Sequence, residues 1–253
     1  MKACSPWVPS FVYCNMNLKY VLATSCLILF VTICATLGQQ SQREHTAGGR
    51  FDNLVREDFF TGMGGDDAAF ARAMKLCEER LKSNPHDAEV MAWHGAGLYF
   101  QAGQAFRRND RTAGIRLRNQ GRQEMDQAVQ LSPSVVTLVP RGAVLLSASK
   151  HIVDSQIREA TLKQGVDDFE RVLELDKTKF PTRCQHAKGE LLGGLAEGWY
   201  RLGNQQKASV YLTRMVTELS HSPYSEAASK VLNQKTGAGE ISTTCLSCHS
   251  SAP

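Results

Sequence analysis

Apolar residues recur at helical spacing along most of the chain between Asp66 and Leu232, and the clearest example runs from Glu190 to Pro223. There, two apolar stripes on either side of Gly203 predict two helices joined by a short turn. The first stripe consists of Leu192, Leu195, Ala196 and Trp199, and the second of Ala208, Leu212, Met215 and Val216. This stretch therefore predicts one complete helix-turn-helix unit.

The flanking stretches have the same spacing and predict an all-α fold. Further helices are predicted from Asp66 to Asn84, from Ala88 to Gly103, around Gly121 to Pro133, from Ser134 to Ile152, around Gly165 to Leu175 and from Ser225 to Leu232. Cys77 stands in an apolar stripe, which favours a buried packing thiol over a reactive one. The helix around Gly165 carries Asp167 and Asp168, which we interpret as part of its exposed side.

The order of large, small and aromatic residues in these helices resembles the tetratricopeptide repeat. In the unit from Glu190 to Pro223, Ala196 and Trp199 match the family pattern, while Leu192 replaces its usual Trp. The matching positions of an earlier unit are Trp93, Gly97, Phe100, Gly121, Met125, Ala128 and Pro133. The resemblance implies an α-solenoid of antiparallel helix pairs over residues 66–232, with a groove that binds a protein or peptide segment. In general character, the chain is similar to exported bacterial repeat proteins, some of which end in a short Cys-containing motif.

A basic stretch from Phe106 to Arg118 interrupts the repeat pattern. It adds about twelve residues to the usual repeat length. The stretch contains one acidic residue, Asp110, and five arginines, and Arg122 follows shortly after it. The five arginines are Arg107, Arg108, Arg111, Arg116 and Arg118. Two interpretations are open: a solvated helix face, or a site for an anion or an acidic protein segment, with Arg107, Arg108 and Arg111 at its centre.

The N-terminal part of the chain has the pattern of an export signal. A single long apolar run, from Val21 to Leu37, follows Lys19 and precedes polar sequence. This pattern is typical of a cleavable signal peptide, and an uncleaved membrane anchor is the alternative. We therefore expect residues 1–38 to direct export to the periplasm, where the protein is either soluble or held by its anchor, and residues 39–65 to form a linker.

The net charge and the motifs of the chain reduce the number of function classes that are expected. The net charge of +4 is far below that of a dedicated nucleic-acid binder, so we expect no nucleic-acid partner. The sequence contains no Gly-rich phosphate loop, no nucleophile elbow and no zinc-helix motif, so we do not expect an enzyme. The remaining function classes are a protein-binding scaffold and an electron-transfer protein.

The C-terminal segment, residues 233–253, is predicted to be a flexible tail that carries one chemical motif. Cys245, Cys248 and His249 have the C-x-x-C-H arrangement by which c-type cytochromes hold haem. Two thiols at this spacing each add across one vinyl group of a porphyrin, and the adjacent imidazole then ligates the iron. Such haem is attached outside the cytoplasm, in agreement with the export signal. A redox partner would follow from this interpretation.

The motif leaves two other interpretations open. Cys245 and Cys248 could form a redox or structural disulfide, or they could supply half of a zinc site completed by Cys184 and His186. Either would make the protein a cofactor-free or zinc-bearing periplasmic interaction protein. If haem is present, no Met follows the motif to serve as sixth ligand, and the nominal candidates are His186 and His221.

Overall fold

The structure, a computed structural model, describes residues 50–234, which form nine α-helices, one short 3₁₀ helix and no strand. The helices are α1 (Asp52–Met63), α2 (Asp67–Ser83), α3 (Ala88–Arg107), α4 (Arg111–Leu131), α5 (Val135–Ala148), α6 (Ser155–Leu175), α7 (Gln185–Arg201), α8 (Gln205–Glu218) and α9 (Pro223–Gln234), with the 3₁₀ helix Phe180–Thr182 before α7. The all-α prediction is confirmed. Among the described helices, none combines the length and apolar character needed to cross a membrane. The predicted export signal and the tail motif lie outside the described residues.

The helices pack in adjacent pairs along the chain. α1 packs on α2, α3 on α4, α5 on α6 and α7 on α8, while α9 packs on α8. The first helix of a pair also contacts the first helix of the next pair, as α3 contacts α5 and α5 contacts α7. This order is that of an all-α, solenoid-like stack, in which the turns inside successive pairs lie along one edge.

The pair α7–α8 confirms the stripes from which the fold was predicted. Leu192, Leu195 and Met215 are fully buried in one apolar cluster that joins α5, α6, α7, α8 and α9. Gly203 follows α7 with a φ of 79°, a left-handed conformation that favours glycine and ends the helix. The prediction for Cys77 is also confirmed, since it is fully buried on α2 and burial raises the pKa of its thiol to about 12.

The predicted linker over residues 39–65 is wrong in its second half, because residues 52–63 form α1. Phe51, Val55 and Phe59 are buried at intervals of four and pack on the α2–α3 cluster. Glu89 of α3 accepts hydrogen bonds from the backbone N–H groups of Phe51 and Asp52, both at 3.2 Å, and so caps the start of α1. The stack therefore begins one helix earlier than predicted.

The basic insertion lengthens two helices and forms no separate loop. α3 extends to Arg107 and α4 starts at Arg111, so these helices have 20 and 21 residues. Phe106 to Arg118 therefore forms the end of a long helical hairpin.

The assignment of Asp168 to an exposed helix side is wrong. Only 4% of this residue is exposed, and its carboxylate accepts two hydrogen bonds from the guanidinium of Arg141 on α5. Burial raises the pKa of the Asp168 carboxyl above its ordinary value even with Arg141 beside it. Asp167, the preceding residue, is exposed as predicted and pairs with Lys163.

Candidate functional site: the Arg-rich hairpin turn

The turn between α3 and α4 is held in one conformation by its own residues. Asn109 has a φ of 61°, a left-handed conformation that asparagine tolerates better than most residues. The Asp110 carboxylate accepts a hydrogen bond from the backbone N–H of Ala113 at 3.0 Å and so caps α4. The carboxylate of the one acidic residue in the insertion is therefore hydrogen-bonded to the backbone of α4.

An aromatic contact closes the hairpin just inside this turn. Phe106 of α3 lies over Gly114 of α4, where a Cβ atom would come within 2.5 Å of the ring. A larger residue at position 114 would displace the ring. The Phe106 ring remains 37% exposed, so it presents an apolar surface at the end of the hairpin.

Four arginine side chains surround this turn without a carboxylate partner in residues 50–234. They are Arg107, Arg108, Arg111 and Arg116, and all four are exposed. Arg122, two turns further along α4, differs from them, since its Nε donates to Asp126 at 2.9 Å. We call the four residues the arginine cluster. Exposed guanidinium groups of this kind bind carboxylates or phosphates in a bidentate manner.

Two exposed apolar residues lie at the turn between α5 and α6 and at the start of α6. Val153, in the turn between α5 and α6, is 94% exposed, and Ile157 at the start of α6 is 56% exposed. The helix before this turn, α5, packs on α3, the helix before the turn that bears the cluster. This apolar surface was not predicted from the sequence, since Val153 and Ile157 match no helical stripe.

An open cleft lies elsewhere in the stack, between α6, the 3₁₀ helix and α8, and has a volume of about 610 Å³. Phe180 and Leu173 contribute its apolar lining. The charged residues around it are Glu170, Glu174, Lys177, Lys188, Arg214 and Glu218. Because three of these residues are acidic and three are basic, the cleft favours no ligand of a single charge.

The residues proposed for a zinc site are only partly within the described chain. Cys184 is exposed immediately before α7, and His186 lies in the first turn of that helix. Within residues 50–234 no three His, Cys, Asp or Glu side chains are grouped so as to hold a metal ion. Cys245, Cys248 and His249, the predicted haem ligands, lie outside the described residues.

Comparison with known proteins adds no relative: no family model, no curated protein and no solved structure matches this chain.

Proposed function

We propose that the protein is an exported helical scaffold that binds an acidic protein segment at the arginine cluster and carries one c-type haem on its C-terminal tail. Four exposed guanidinium groups at or near one turn, none with a carboxylate partner in residues 50–234, support the docking part. Exposed arginines attract carboxylates over several ångströms and bind them with directed hydrogen bonds. Phe106, which is exposed beside the cluster, offers apolar contact to the same partner.

The haem part of the proposal is supported by the donor set of the tail. Cys245 and Cys248 supply two thiols, and His249 supplies the imidazole ligand of the iron. Each thioether forms by addition of an S–H group across a vinyl double bond, so no other group leaves. When bound, the haem would provide one-electron redox chemistry, and a redox partner that carries the acidic segment would exchange electrons with it. In this role the protein transfers electrons and is not an enzyme.

The haem proposal predicts a covalent adduct on the mature protein. Expressed with its signal in a host that matures c-type cytochromes, the wild-type protein is expected to carry the mass of one haem and to give a pyridine haemochrome spectrum. The matched variant is Cys245→Ser with Cys248→Ser, which is expected to lack both. If the wild type lacks the haem mass while a control cytochrome matures in the same cells, the haem proposal fails and the scaffold without haem remains. A zinc analysis of the wild type and of Cys184→Ser would then distinguish a zinc site from a disulfide.

The docking proposal predicts a charge-specific loss of binding. Replacing Arg107, Arg108 and Arg111 together by Ala is expected to weaken binding of a fluorescent ten-residue poly-glutamate peptide by about 10- to 100-fold at low salt, at roughly 0.5–1 kcal/mol per exposed charge. Anisotropy titrations at two salt concentrations measure this, and binding to the wild type should weaken as salt rises.

The control variant removes three cations that lie away from the turn, Arg80, Lys82 and Arg171. Each of the three is exposed and has no ion pair among the described residues. Replacing all three by Ala changes the total charge by the same amount as the cluster variant does. Equal losses in both triple variants would show non-specific attraction and contradict the docking site. Binding of the cluster to anionic phospholipid vesicles, with none to the peptide, would instead assign the cluster to a membrane surface.

A further inference from the structure

A stripe of carboxamide side chains extends along α4 from the arginine cluster. Asn119, Gln123, Gln127 and Gln130 follow Arg116 of the cluster at intervals of three, four, four and three residues. At about 100° per residue, these five residues lie within about 80° of one another around the helix. The four carboxamide residues are exposed, and their side chains form no hydrogen bond with another residue of the range 50–234. We call these four residues the carboxamide stripe.

The charged residues beside the stripe are already paired within the stack. Arg122 donates from Nε to Asp126 at 2.9 Å and from Nη2 to Gln164 on α6. Asp126 also accepts a hydrogen bond from Nη1 of Arg141 on α5, at 3.0 Å. Together with Arg122 and Asp126, the stripe lines a shallow recess of about 460 Å³. Because the two charges balance each other, hydrogen bonding by the carboxamides determines what this recess can bind.

The chemistry of the stripe matches that of a peptide main chain. Each carboxamide has an N–H donor and a C=O acceptor, the same two groups that each residue of a peptide main chain offers. Residues four apart lie about 6.0 Å apart along an α-helix, and alternate residues of an extended chain lie about 6.6 Å apart. Rotation of the long side chains accommodates a difference of this size. An extended segment along α4 can therefore hydrogen-bond through every second residue to Asn119, Gln123 and Gln127.

We propose that the carboxamide stripe binds the main chain of an extended peptide segment that continues from the acidic segment docked at the arginine cluster. The inference rests on the docking part of the proposed function. Arg116 connects the two surfaces, since it belongs to the cluster and lies about 4.5 Å along the helix before Asn119. A helical partner fits less well, because its main-chain groups are already hydrogen-bonded to each other. The partner is therefore a segment with acidic residues at one end and an adjoining extended stretch that is recognised through its backbone.

The test compares fluorescent peptides on the full-length protein by anisotropy at low salt. The first peptide has five glutamates, about 16 Å when extended, which is too short to cover both surfaces. Two longer peptides carry six further residues of alternating Ala and Ser, one after and one before the glutamates, because the segment can run in either direction along α4. One of the two is expected to bind about 10-fold more tightly than the first, through two or three main-chain hydrogen bonds. The same peptide with esters in place of the amides of its neutral half lacks those N–H donors and is expected to lose most of this gain.

Replacing Asn119, Gln123 and Gln127 together by Ala is expected to remove the gain in affinity. Binding of the five-glutamate peptide should remain unchanged, because the removed side chains carry no charge. Alanine is a better helix former than Asn or Gln, so α4 should persist in this variant, and circular dichroism at 222 nm checks this. The triple variant of the arginine cluster should instead weaken binding of all the peptides.

The control variant replaces Gln185, Gln205 and Gln206 by Ala. These residues are three exposed carboxamides on α7 and α8, and their replacement is expected to leave the gain in place. A gain that persists in the stripe variant, that disappears from the control variant or that is absent from the wild type overturns this inference while the docking proposal stands. If the five-glutamate peptide shows no charge-specific binding, both fail. A wild-type dimer in sedimentation that becomes a monomer in the stripe variant, with no gain from the longer peptides, assigns the stripe to contact between two copies and also overturns the inference.

Discussion

Replacing Arg141 by Met is expected to lower the free energy of unfolding by about 3–5 kcal/mol, the usual cost of breaking a buried ion pair from one side. Arg141 on α5 donates from Nε and Nη2 to the two oxygens of Asp168 on α6, at 2.8 and 2.6 Å, and from Nη1 to Asp126 on α4 at 3.0 Å. The Arg141 and Asp168 side chains are about nine-tenths buried. Without the guanidinium, the carboxylate of Asp168 stays in the core without its charge partner.

The pH dependence of this variant follows from the same contact. Burial already raises the pKa of Asp168, and removal of Arg141 is expected to raise it further, above the pKa in the unfolded chain. A raised carboxyl pKa means that the folded state binds the proton more tightly. The loss of stability is therefore complete above the folded-state pKa and diminishes as pH falls through it. Urea unfolding of Arg141→Met at several pH values measures this change.

Two further variants distinguish the buried charge from lost packing. Arg141→Met with Asp168→Asn is expected to recover much of the stability, because no unpaired charge remains. Arg214→Met breaks the exposed pair between Arg214 and Glu218, 2.6 Å apart on α8, and is expected to cost less than about 1 kcal/mol. A cost for Arg141→Met no greater than that of Arg214→Met would mean that the buried pair does not stabilise the stack.

The contrast between Asp167 and Asp168 illustrates where sequence reasoning fails. Both aspartates lie beside the apolar stripe of α6, and the local pattern gives them the same exposed environment. What buries Asp168 is Arg141, 27 residues earlier in a helix that is otherwise mostly apolar. A long-range partner of this kind leaves no periodic signal, whereas the stripes of α7 and α8 do, which explains why those helices were predicted correctly.

The missed helix α1 has a different cause. Phe51, just before this helix, and Val55 and Phe59 within it are buried at helical spacing, but they stand in a sequence rich in glycine and charge. The stabilisation comes from packing on α2 and α3 and from Glu89, which caps the helix from 37 residues away. Local composition therefore indicated a linker where tertiary contacts form a helix.

The candidate sites show the same division between local and long-range information. The arginine cluster was visible in the sequence because its residues are neighbours in the chain. That Arg122 is paired while Arg107 is exposed without an ion pair in the described chain depends on contacts that only the fold supplies. Likewise, His186 and Tyr224 are 38 residues apart, so their hydrogen bond could not be predicted from spacing.

Replacing Gly121 by Ala is expected to destabilise the fold by about 2 kcal/mol or more, although alanine is the better helix former. A Cβ atom at Gly121 on α4 would lie 2.5 Å from the carbonyl oxygen of Gly95 and 2.9 Å from the backbone nitrogen of Tyr99, both on α3. These are backbone atoms, so no side-chain rotation can relieve the contact, and the helices must separate. At about 2–4 °C per kcal/mol for a domain of this size, the midpoint of thermal unfolding should fall by roughly 4–8 °C or more.

The matched control is Gly103→Ala, in the same hairpin. A Cβ atom there would meet only the end of the flexible Arg107 side chain, at 3.7 Å, so alanine should add up to about 1 kcal/mol through its helix propensity. The two substitutions change the same atoms but are expected to shift the midpoint in opposite directions, as measured by circular dichroism at 222 nm on heating. Because α3 and α4 also hold the turn that bears the arginine cluster, Gly121→Ala should weaken binding of the acidic peptide as well. A Gly121→Ala protein as stable as Gly103→Ala would show that α3 and α4 lie further apart at Gly121 than these two distances require.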